Sequence, residues 1–97
     1  MTLPIVFRPI AKQEMEDSFA WYETQRGGLG IEFLDEISVF LAGIAEAPEQ
    51  FGRIRGPIRR AVLHRFPFTI HFLHESDRIV VIAVFHGKRN PKRLESR

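Results

Sequence analysis

Residues 78–93 read R-I-V-V-I-A-V-F-H-G-K-R-N-P-K-R, and the rest of the chain is best understood from them. Residues 79–85 are all apolar, and the composition then changes abruptly to polar and basic. A continuous apolar run of this length is typical of a strand buried on both faces. His86 stands where this strand leaves the core, and four cations follow it: Lys88, Arg89, Lys92 and Arg93. We predict that the strand holds this cationic edge rigidly for function.

The net charge of +2 hides a strong asymmetry along the chain. Residues 1–52 carry three Lys or Arg and nine Asp or Glu, a net charge of −6. Residues 53–97 carry eleven Lys or Arg and three Asp or Glu, a net charge of +8. This split indicates an anionic partner for the second half, either a nucleic acid or an acidic protein segment. The simpler interpretation is that both charge sets serve only solubility.

The composition also limits the classes to which this protein can belong. Its 97 residues predict one domain over residues 1–97. The absence of Cys excludes disulfides, thiolate metal sites and Cys nucleophiles, and it suits a reducing cytoplasm. No apolar run approaches the roughly 20 residues of a membrane-spanning helix, and the first residues lack the basic leader of a signal peptide. We therefore expect a cytoplasmic protein with no membrane partner, no metal and no cofactor.

Two helices are predicted in the first half. Pro9 suits the first turn of a helix, whose apolar face is formed by Ala11, Met15, Phe19 and Tyr22. We assign Glu14, Glu16 and Asp17 to the first turns of this helix, where the helix dipole favours negative charge. Glycines in residues 27–30 end this helix, and a second, strongly apolar helix is predicted over residues 31–47 until Pro48 stops it. The short connection predicts an antiparallel hairpin.

Strands account for most of the remaining sequence. Residues 5–8 form a short first strand, and residues 49–57 are predicted to be a loop. Residues 59–65 and 68–73 follow as strands, the latter with strict alternation of apolar residues, before residues 78–85. The sequence thus predicts an α+β fold of order β-α-α-β-β-β, with a helical hairpin packed on one face of a small antiparallel sheet.

Several short pieces of sequence stand in a recognisable order over nearly the whole chain. They are Trp21-Tyr22-Glu23, Gly28-Leu29-Gly30 with Phe33-Leu34 and Glu36, Pro48 with Phe51, Arg59-Arg60-Ala61-Val62-Leu63, Arg65-Phe66-Pro67-Phe68-Thr69-Ile70, and residues 79–84 with His86, Arg89 and Pro91. In this order and spacing they resemble the RelE/ParE superfamily of bacterial type II toxins.

The resemblance implies a RelE/ParE-like toxin domain that a cognate antitoxin neutralises. Antitoxins of this kind wrap the toxin with an extended, often acidic segment, which agrees with the basic second half. The resemblance leaves two activities open. RelE-like members cleave messenger RNA on the ribosome, whereas ParE-like members are not nucleases and inhibit DNA gyrase.

The residues needed for RNA cleavage are incomplete in this sequence. Attack by the 2′-OH of the RNA needs a base, an acid and cations around the phosphate. RelE-like toxins typically supply an Arg in the middle strand of the meander, where this chain reads Phe68-Thr69. The only tyrosine, Tyr22, lies on the first helix. His86 remains as the catalytic candidate, because an imidazole can move protons near neutral pH, with Lys88, Arg89, Arg60 and Arg65 as cations.

These departures favour a ParE-like toxin that acts by binding and poisoning DNA gyrase, without chemistry of its own. The residues that we assign to binding the target or the antitoxin are Arg59, Arg60, Arg65, Lys88, Arg89, Lys92 and Arg93. Two alternatives stay open. One is a ribosome-dependent mRNA endonuclease that uses His86, and the other is a non-toxic nucleic-acid-binding adaptor.

The other histidines and the tryptophan have simpler structural interpretations. His64, His71 and His74 lack paired carboxylates at metal-binding spacing, so we place them on strand surfaces or at the core edge. Trp21 is predicted to pack between a helix and a loop.

Overall fold

The computed structural model of the chain describes residues 2–87, which form a layer of two helices on a five-stranded sheet. The elements are β1 (Ile5–Phe7), α1 (Pro9–Gln25), α2 (Leu29–Glu46), a 3₁₀ turn (Pro48–Gln50), β2 (Arg53–Arg55), β3 (Ile58–Val62), β4 (Phe68–His74) and β5 (Ile79–His86). The strand order across the sheet is β1-β5-β4-β3-β2. The predicted α+β fold with a helical hairpin on one face is therefore confirmed.

The sheet is mixed, and it has one strand more than predicted. The pairs β2–β3, β3–β4 and β4–β5 are antiparallel, but β1 lies parallel to β5, with Ile5 opposite Ile79. The strand β2 falls inside the predicted loop of residues 49–57. Its three residues are all exposed, so no apolar alternation marks it in the sequence.

Strand β5 is buried on both faces, as its composition predicts. Ile79, Val81 and Val84 pack with the helices, whereas Val80, Ile82, Ala83 and Phe85 form a second apolar cluster. A bulge interrupts the pairing with β4, where His71 lies opposite Ala83 and Phe72 opposite Val81. Because Ile82 is the extra residue, the alternation of faces shifts by one along the rest of the strand.

The turn between the helices depends on Glu23. Its carboxylate accepts hydrogen bonds from the backbone N–H groups of Gly28 at 3.1 Å, Gly30 at 2.7 Å and Ile31 at 3.2 Å. These N–H groups belong to the turn and the first residues of α2, where no intrahelical acceptor exists. Helix α2 therefore begins at Leu29, two residues before the predicted start.

Both glycines of Gly28-Leu29-Gly30 are required by the structure. Gly28 has a φ of 88°, a left-handed conformation that side chains disfavour. A Cβ on Gly30 would lie 2.6 Å from the carbonyl oxygen of Phe19, because α1 and α2 approach closely there.

The predicted role of the α1 acids in the helix dipole is wrong. Helix α1 begins at Pro9 and has no acid in its first turn, so Glu14, Glu16 and Asp17 lie too far along it. Glu14 instead reaches the sheet, where its Oε1 accepts a 3.0 Å hydrogen bond from the N–H of Val84, just beyond the β5 bulge.

Strand β3 ends at Val62, three residues before its predicted end. The carboxylate of Glu36 accepts hydrogen bonds from the N–H groups of Arg65 and Phe66 at 3.0 and 3.3 Å. These bonds hold the β3–β4 loop against α2, so its backbone pairs with a helix side chain rather than with a neighbouring strand.

Candidate functional site

His86 lies at the end of β5 and faces the helices. It stands opposite Phe68, and the two rings meet edge to face with centroids 5.3 Å apart. The N–H of Gly87 donates a 2.6 Å hydrogen bond to the carbonyl oxygen of Pro67, which holds the strand end beside the β3–β4 loop. His86 is thereby fixed at the mouth of an open cleft of about 660 Å³.

This cleft, which we call the His86 cleft, lies between the strand end and α1. Its helical wall consists of Asp17, Ser18, Trp21 and Tyr22, and its other wall of Pro67, Phe68 and His86. Trp21 is 58% exposed, so the prediction that it packs between a helix and a loop is wrong. The cleft combines exposed aromatic surface with one carboxylate and one imidazole.

Tyr22 is mainly a packing residue. Its ring meets those of Phe33, Phe66 and Phe68 with centroid distances of 5.3, 5.0 and 6.1 Å. Burial raises the pKa of the Tyr22 hydroxyl, because the apolar surroundings disfavour the phenolate. As predicted, it belongs to the apolar face of α1, and it is a poor source of a base for RNA cleavage.

Arg59 and Arg60 point to opposite faces of the sheet. Arg59 faces the helices, on the same side of the strand as the core residue Ala61 two positions later. Its Nη1 donates a 2.7 Å hydrogen bond to the carbonyl oxygen of Phe51. Arg60 is exposed on the other face, opposite His71. Because His86 faces the helices, Arg60 and His86 lie on different sides of the sheet.

Arg65 is bound by acidic and aromatic groups of the molecule itself. Its Nη2 forms an ion pair with Glu32, and its guanidinium lies 5.2 Å from the centroid of the Phe66 ring. Glu32 also binds Arg26 at 2.9 Å. Hydrogen bonds from Arg26 and then from Arg65 lower the pKa of the Glu32 carboxyl. Arg65 therefore stabilises the region between α2 and the β3–β4 loop.

The other four cations assigned to binding lie outside the described residues. They are Lys88, Arg89, Lys92 and Arg93, which follow β5 directly in the chain. Among the described arginines of that assignment, Arg60 is the one whose side chain is exposed without a carboxylate partner. The structure does not bring Arg59, Arg60 and Arg65 together in one site.

The remaining histidines occupy three different environments. His71 is buried, and its ring meets Phe85 with centroids 5.4 Å apart. His64 meets Phe40 at 5.2 Å, and Nδ1 of His74 lies 3.7 Å from a carboxylate oxygen of Glu49. Within residues 2–87, no three His, Asp or Glu side chains are grouped as metal ligands. No helix in the same part of the chain is long and apolar enough to cross a bilayer.

A second open depression of about 550 Å³ runs along α2, and we call it the α2 groove. Its floor is formed by Val39, Phe40, Gly43, Phe51 and His64. Its rim carries Glu32, Asp35, Glu36 and Arg65. The sequence does not reveal this groove, because Phe40 belongs to the apolar stripe predicted for this helix and its exposure cannot be read from the sequence. The signal that could have revealed it is Val39, which lies off the face that α2 buries.

A two-helix hairpin on one face of a small sheet is the architecture expected of a RelE/ParE-type protein. The family model described as "ParE toxin of type II toxin-antitoxin system, parDE" matches residues 5–91. The chain therefore belongs to the ParE toxin family of type II toxin–antitoxin systems.

A solved structure has the same fold. It is described as "Chromosomal ParDE TA system from P. aeruginosa", and the chain is similar to it with a TM-score of 0.77 and 16% sequence identity. The likeness covers 88% of this chain and 96% of that chain. At this identity it supports the fold alone. No curated protein matches the chain.

Proposed function

We propose that this ParE-type toxin inhibits growth by binding and poisoning DNA gyrase in the cytoplasm, and that a cognate antitoxin neutralises it. The observation that carries the proposal is that none of the three described arginines assigned to binding, Arg59, Arg60 and Arg65, lines the cleft that contains His86. Arg60 lies on the opposite face of the sheet from His86, and Arg65 pairs with Glu32. A toxin that acts by binding needs no convergence of these groups.

Cleavage of RNA makes a stricter demand. A cation must lie beside the phosphate while a base and an acid reach the attacking and leaving oxygens. Arg59, which donates to the carbonyl of Phe51, does not line the His86 cleft, and neither do Arg60 and Arg65. These three arginines therefore supply no phosphate-binding group to the His86 cleft.

The cationic segment after β5 is the part that we assign to gyrase. Lys88, Arg89, Lys92 and Arg93 continue directly from a strand whose residues are almost all buried. The strand fixes the position in the fold from which this segment of sequence continues. Its charge favours an acidic surface or the phosphates of gyrase-bound DNA.

The experiment is a supercoiling assay with purified gyrase. We expect the wild-type protein to block supercoiling and Lys88→Glu/Arg89→Glu to reduce inhibition at least tenfold. Lys12→Glu is the control. Lys12 is an exposed residue on α1, so this substitution reverses one charge outside the cationic segment. Wild-type protein that leaves gyrase fully active would refute the proposal.

The second candidate is the mRNA endonuclease, and the His86 cleft favours it. His86 shares this open cleft with Asp17 and Tyr22, so an imidazole and a carboxylate are both accessible there. This alternative predicts that mRNA is cleaved when the protein is added to a translating extract, and that His86→Ala abolishes the cleavage. Under the gyrase proposal, His86→Ala retains toxicity. Normal growth of a host that expresses this protein without any antitoxin would indicate the non-toxic adaptor instead.

A further inference from the structure

The helical wall of the His86 cleft carries two neighbouring groups that accept hydrogen bonds. Asp17 presents an exposed carboxylate, whose Oδ1 accepts a 2.7 Å hydrogen bond from Nε2 of Gln13. The hydroxyl of Ser18 donates its only proton to the carbonyl oxygen of Glu14, at 2.8 Å, so towards a ligand it can act only as an acceptor. This wall therefore suits a ligand that brings several N–H donors.

Trp21 adds a large aromatic surface one turn beyond Asp17. Side chains four positions apart on a helix lie next to each other, so the indole and the carboxylate share one side of α1. The indole meets the ring of Tyr22 with centroids 5.1 Å apart, but more than half of Trp21 remains exposed. Surface that stays in water contributes little to folding. An exposed indole beside a carboxylate instead favours a cation, which the face of the ring attracts.

The charge of the cleft determines which ligands suit it. Among the described residues that line the cleft, Asp17 is the only acid, and none is Lys or Arg. The amide of Gln13 is neutral, so its hydrogen bond leaves the charge of the carboxylate in place. A cation is attracted to this position, whereas the phosphates that accompany a nucleobase are repelled from it. The cleft therefore favours a basic side chain over a nucleic acid.

An arginine side chain fits these groups better than a lysine does. Its guanidinium has five N–H donors and no acceptor, so one edge can donate to the carboxylate of Asp17 and to the hydroxyl of Ser18. Because the guanidinium is planar and weakly hydrated, it also stacks on an aromatic face such as that of Trp21, whereas an ammonium group is compact and strongly hydrated. The cleft is open and measures about 660 Å³, so a side chain that projects from another protein can enter it.

We propose that this cleft receives an arginine side chain of DNA gyrase, with its guanidinium bound by Asp17 and Ser18 and stacked on Trp21. This inference rests on the proposed inhibition of gyrase. The cationic segment assigned to gyrase follows His86 and Gly87 directly in the sequence, so a partner that holds this segment lies beside the mouth of the cleft. The imidazole is not among the binding groups, which agrees with the expectation that His86→Ala retains toxicity.

The first test measures the binding of an isolated arginine side chain. Trp21 is the only tryptophan of the chain, so the tryptophan fluorescence of the full-length protein reports on the cleft. The protein is titrated at constant ionic strength with N-acetyl-arginine methylamide and with the corresponding citrulline compound, which has a similar planar end group without the charge. We expect a saturable change with the arginine compound and at least fivefold weaker binding of the citrulline compound. Equal responses to the two compounds contradict the proposal.

Two variants that remove one negative charge each provide the matched comparison. Asp17→Asn removes it inside the cleft and keeps an amide oxygen that can accept from Gln13. Glu16→Gln removes it from the next position of α1, which is exposed and does not line the cleft. We expect the dissociation constant of the arginine compound to rise at least fivefold in Asp17→Asn and less than twofold in Glu16→Gln. Both variants are expected to keep the wild-type melting temperature, because both positions are exposed.

The second test applies the same two variants to the gyrase supercoiling assay. We expect the half-inhibitory concentration to rise at least fivefold for Asp17→Asn and less than twofold for Glu16→Gln. Both substitutions make the toxin more basic by one charge, so a general attraction to an acidic partner would strengthen inhibition in both variants alike. A loss that is confined to Asp17→Asn therefore reports a cation bound in the cleft.

The outcomes separate this inference from the proposed function. If wild-type protein and Asp17→Asn inhibit gyrase equally well, the inference is overturned and the proposed function stands. If the wild-type protein leaves gyrase active, the proposed function fails and gyrase is not the source of the arginine. If Asp17→Asn weakens binding of the antitoxin but not inhibition of gyrase, the arginine belongs to the antitoxin and the inference is wrong. If single-stranded RNA binds Asp17→Asn more tightly than wild-type protein and changes the Trp21 fluorescence, the occupant is a nucleic acid and the inference is also wrong.

Discussion

At the scale of single residues, three glutamates use their carboxylates to organise the backbone. Glu14 accepts from Val84, Glu23 from the turn between the helices, and Glu36 from the β3–β4 loop. A carboxylate that accepts several N–H bonds satisfies donors that have no partner in a helix or strand. The acidic first half of the chain is therefore partly structural, and its charge is not only a matter of solubility.

Gly30→Ala is expected to destabilise the protein by about 1–3 kcal/mol, because the new methyl group overlaps the carbonyl of Phe19 and the side chain of Glu23. Chemical denaturation followed by circular dichroism measures the change. Gly27→Ala is the control, since a Cβ there meets nothing within 4 Å. Equal stability of the two variants would show that α1 and α2 can separate at no cost.

The ionisation of Glu23 makes the stability of the folded protein depend on pH in the acid range. Hydrogen bonds from the N–H of Gly28, and also from those of Gly30 and Ile31, lower the pKa of the Glu23 carboxyl below its ordinary 4.5. A carboxyl whose pKa is lowered in the folded state stabilises that state fully above its unfolded pKa. This contribution is lost as the pH falls through the lower, folded-state pKa.

Unfolding of wild-type protein and Glu23→Gln between pH 7 and pH 3 tests this linkage. We expect the wild-type protein to be the more stable at pH 7 and the difference to shrink on acidification below about pH 4.5. A difference that stays constant over this range contradicts a role for the ionised carboxylate in capping the turn.

At the scale of elements, β5 is the strand on which the others depend. It pairs with β1 on one side and with β4 on the other, and it contributes to both apolar clusters. Its bulge at Ile82 moves Ala83 and Phe85 to the face away from the helices. Glu14 of α1 binds the strand beside this bulge, so the helix and the strand fix each other's position.

Glu14→Ala is expected to cost about 1–3 kcal/mol, because the partly buried N–H of Val84 loses its carboxylate acceptor. Glu16→Ala removes the same group from an exposed position on the same helix, and its effect is expected to stay within about 0.5 kcal/mol. Urea denaturation of both variants gives the comparison. Two variants of equal stability would mean that the bulge does not need Glu14.

At the scale of the whole molecule, the fold distributes the cations over separate places. Arg59 is used near Phe51, Arg60 lies on the face away from the helices, and Arg65 belongs to α2 through Glu32. Arg59, Arg60 and Arg65, which lie close together in the sequence, are thus not grouped in one site. The α2 groove, in contrast, joins residues 32–43 of one helix with Phe51, His64 and Arg65, which lie farther along the chain.

Native-state hydrogen exchange should reveal a gradient across the sheet. The amides of β5 are expected to exchange only through global unfolding, because this strand is paired on both sides and buried. Those of β2, a three-residue exposed edge strand, are expected to exchange through local opening at least a hundredfold faster. Similar protection in β2 and β5 would contradict this account of the fold.

Sequence patterns alone were sufficient to predict the helical hairpin, the alternating strand β4, the fully buried strand β5 and the superfamily. These features depend on periodicity and composition over neighbouring residues, which sequence analysis can measure directly. Four features became visible only in the folded chain: the short edge strand β2, the parallel pairing of β1, the separation of Arg59, Arg60 and Arg65, and the roles of the glutamates. Their causes are contacts between distant residues, such as the hydrogen bond that joins Glu14 and Val84 across 70 positions, and local patterns contain no record of such contacts.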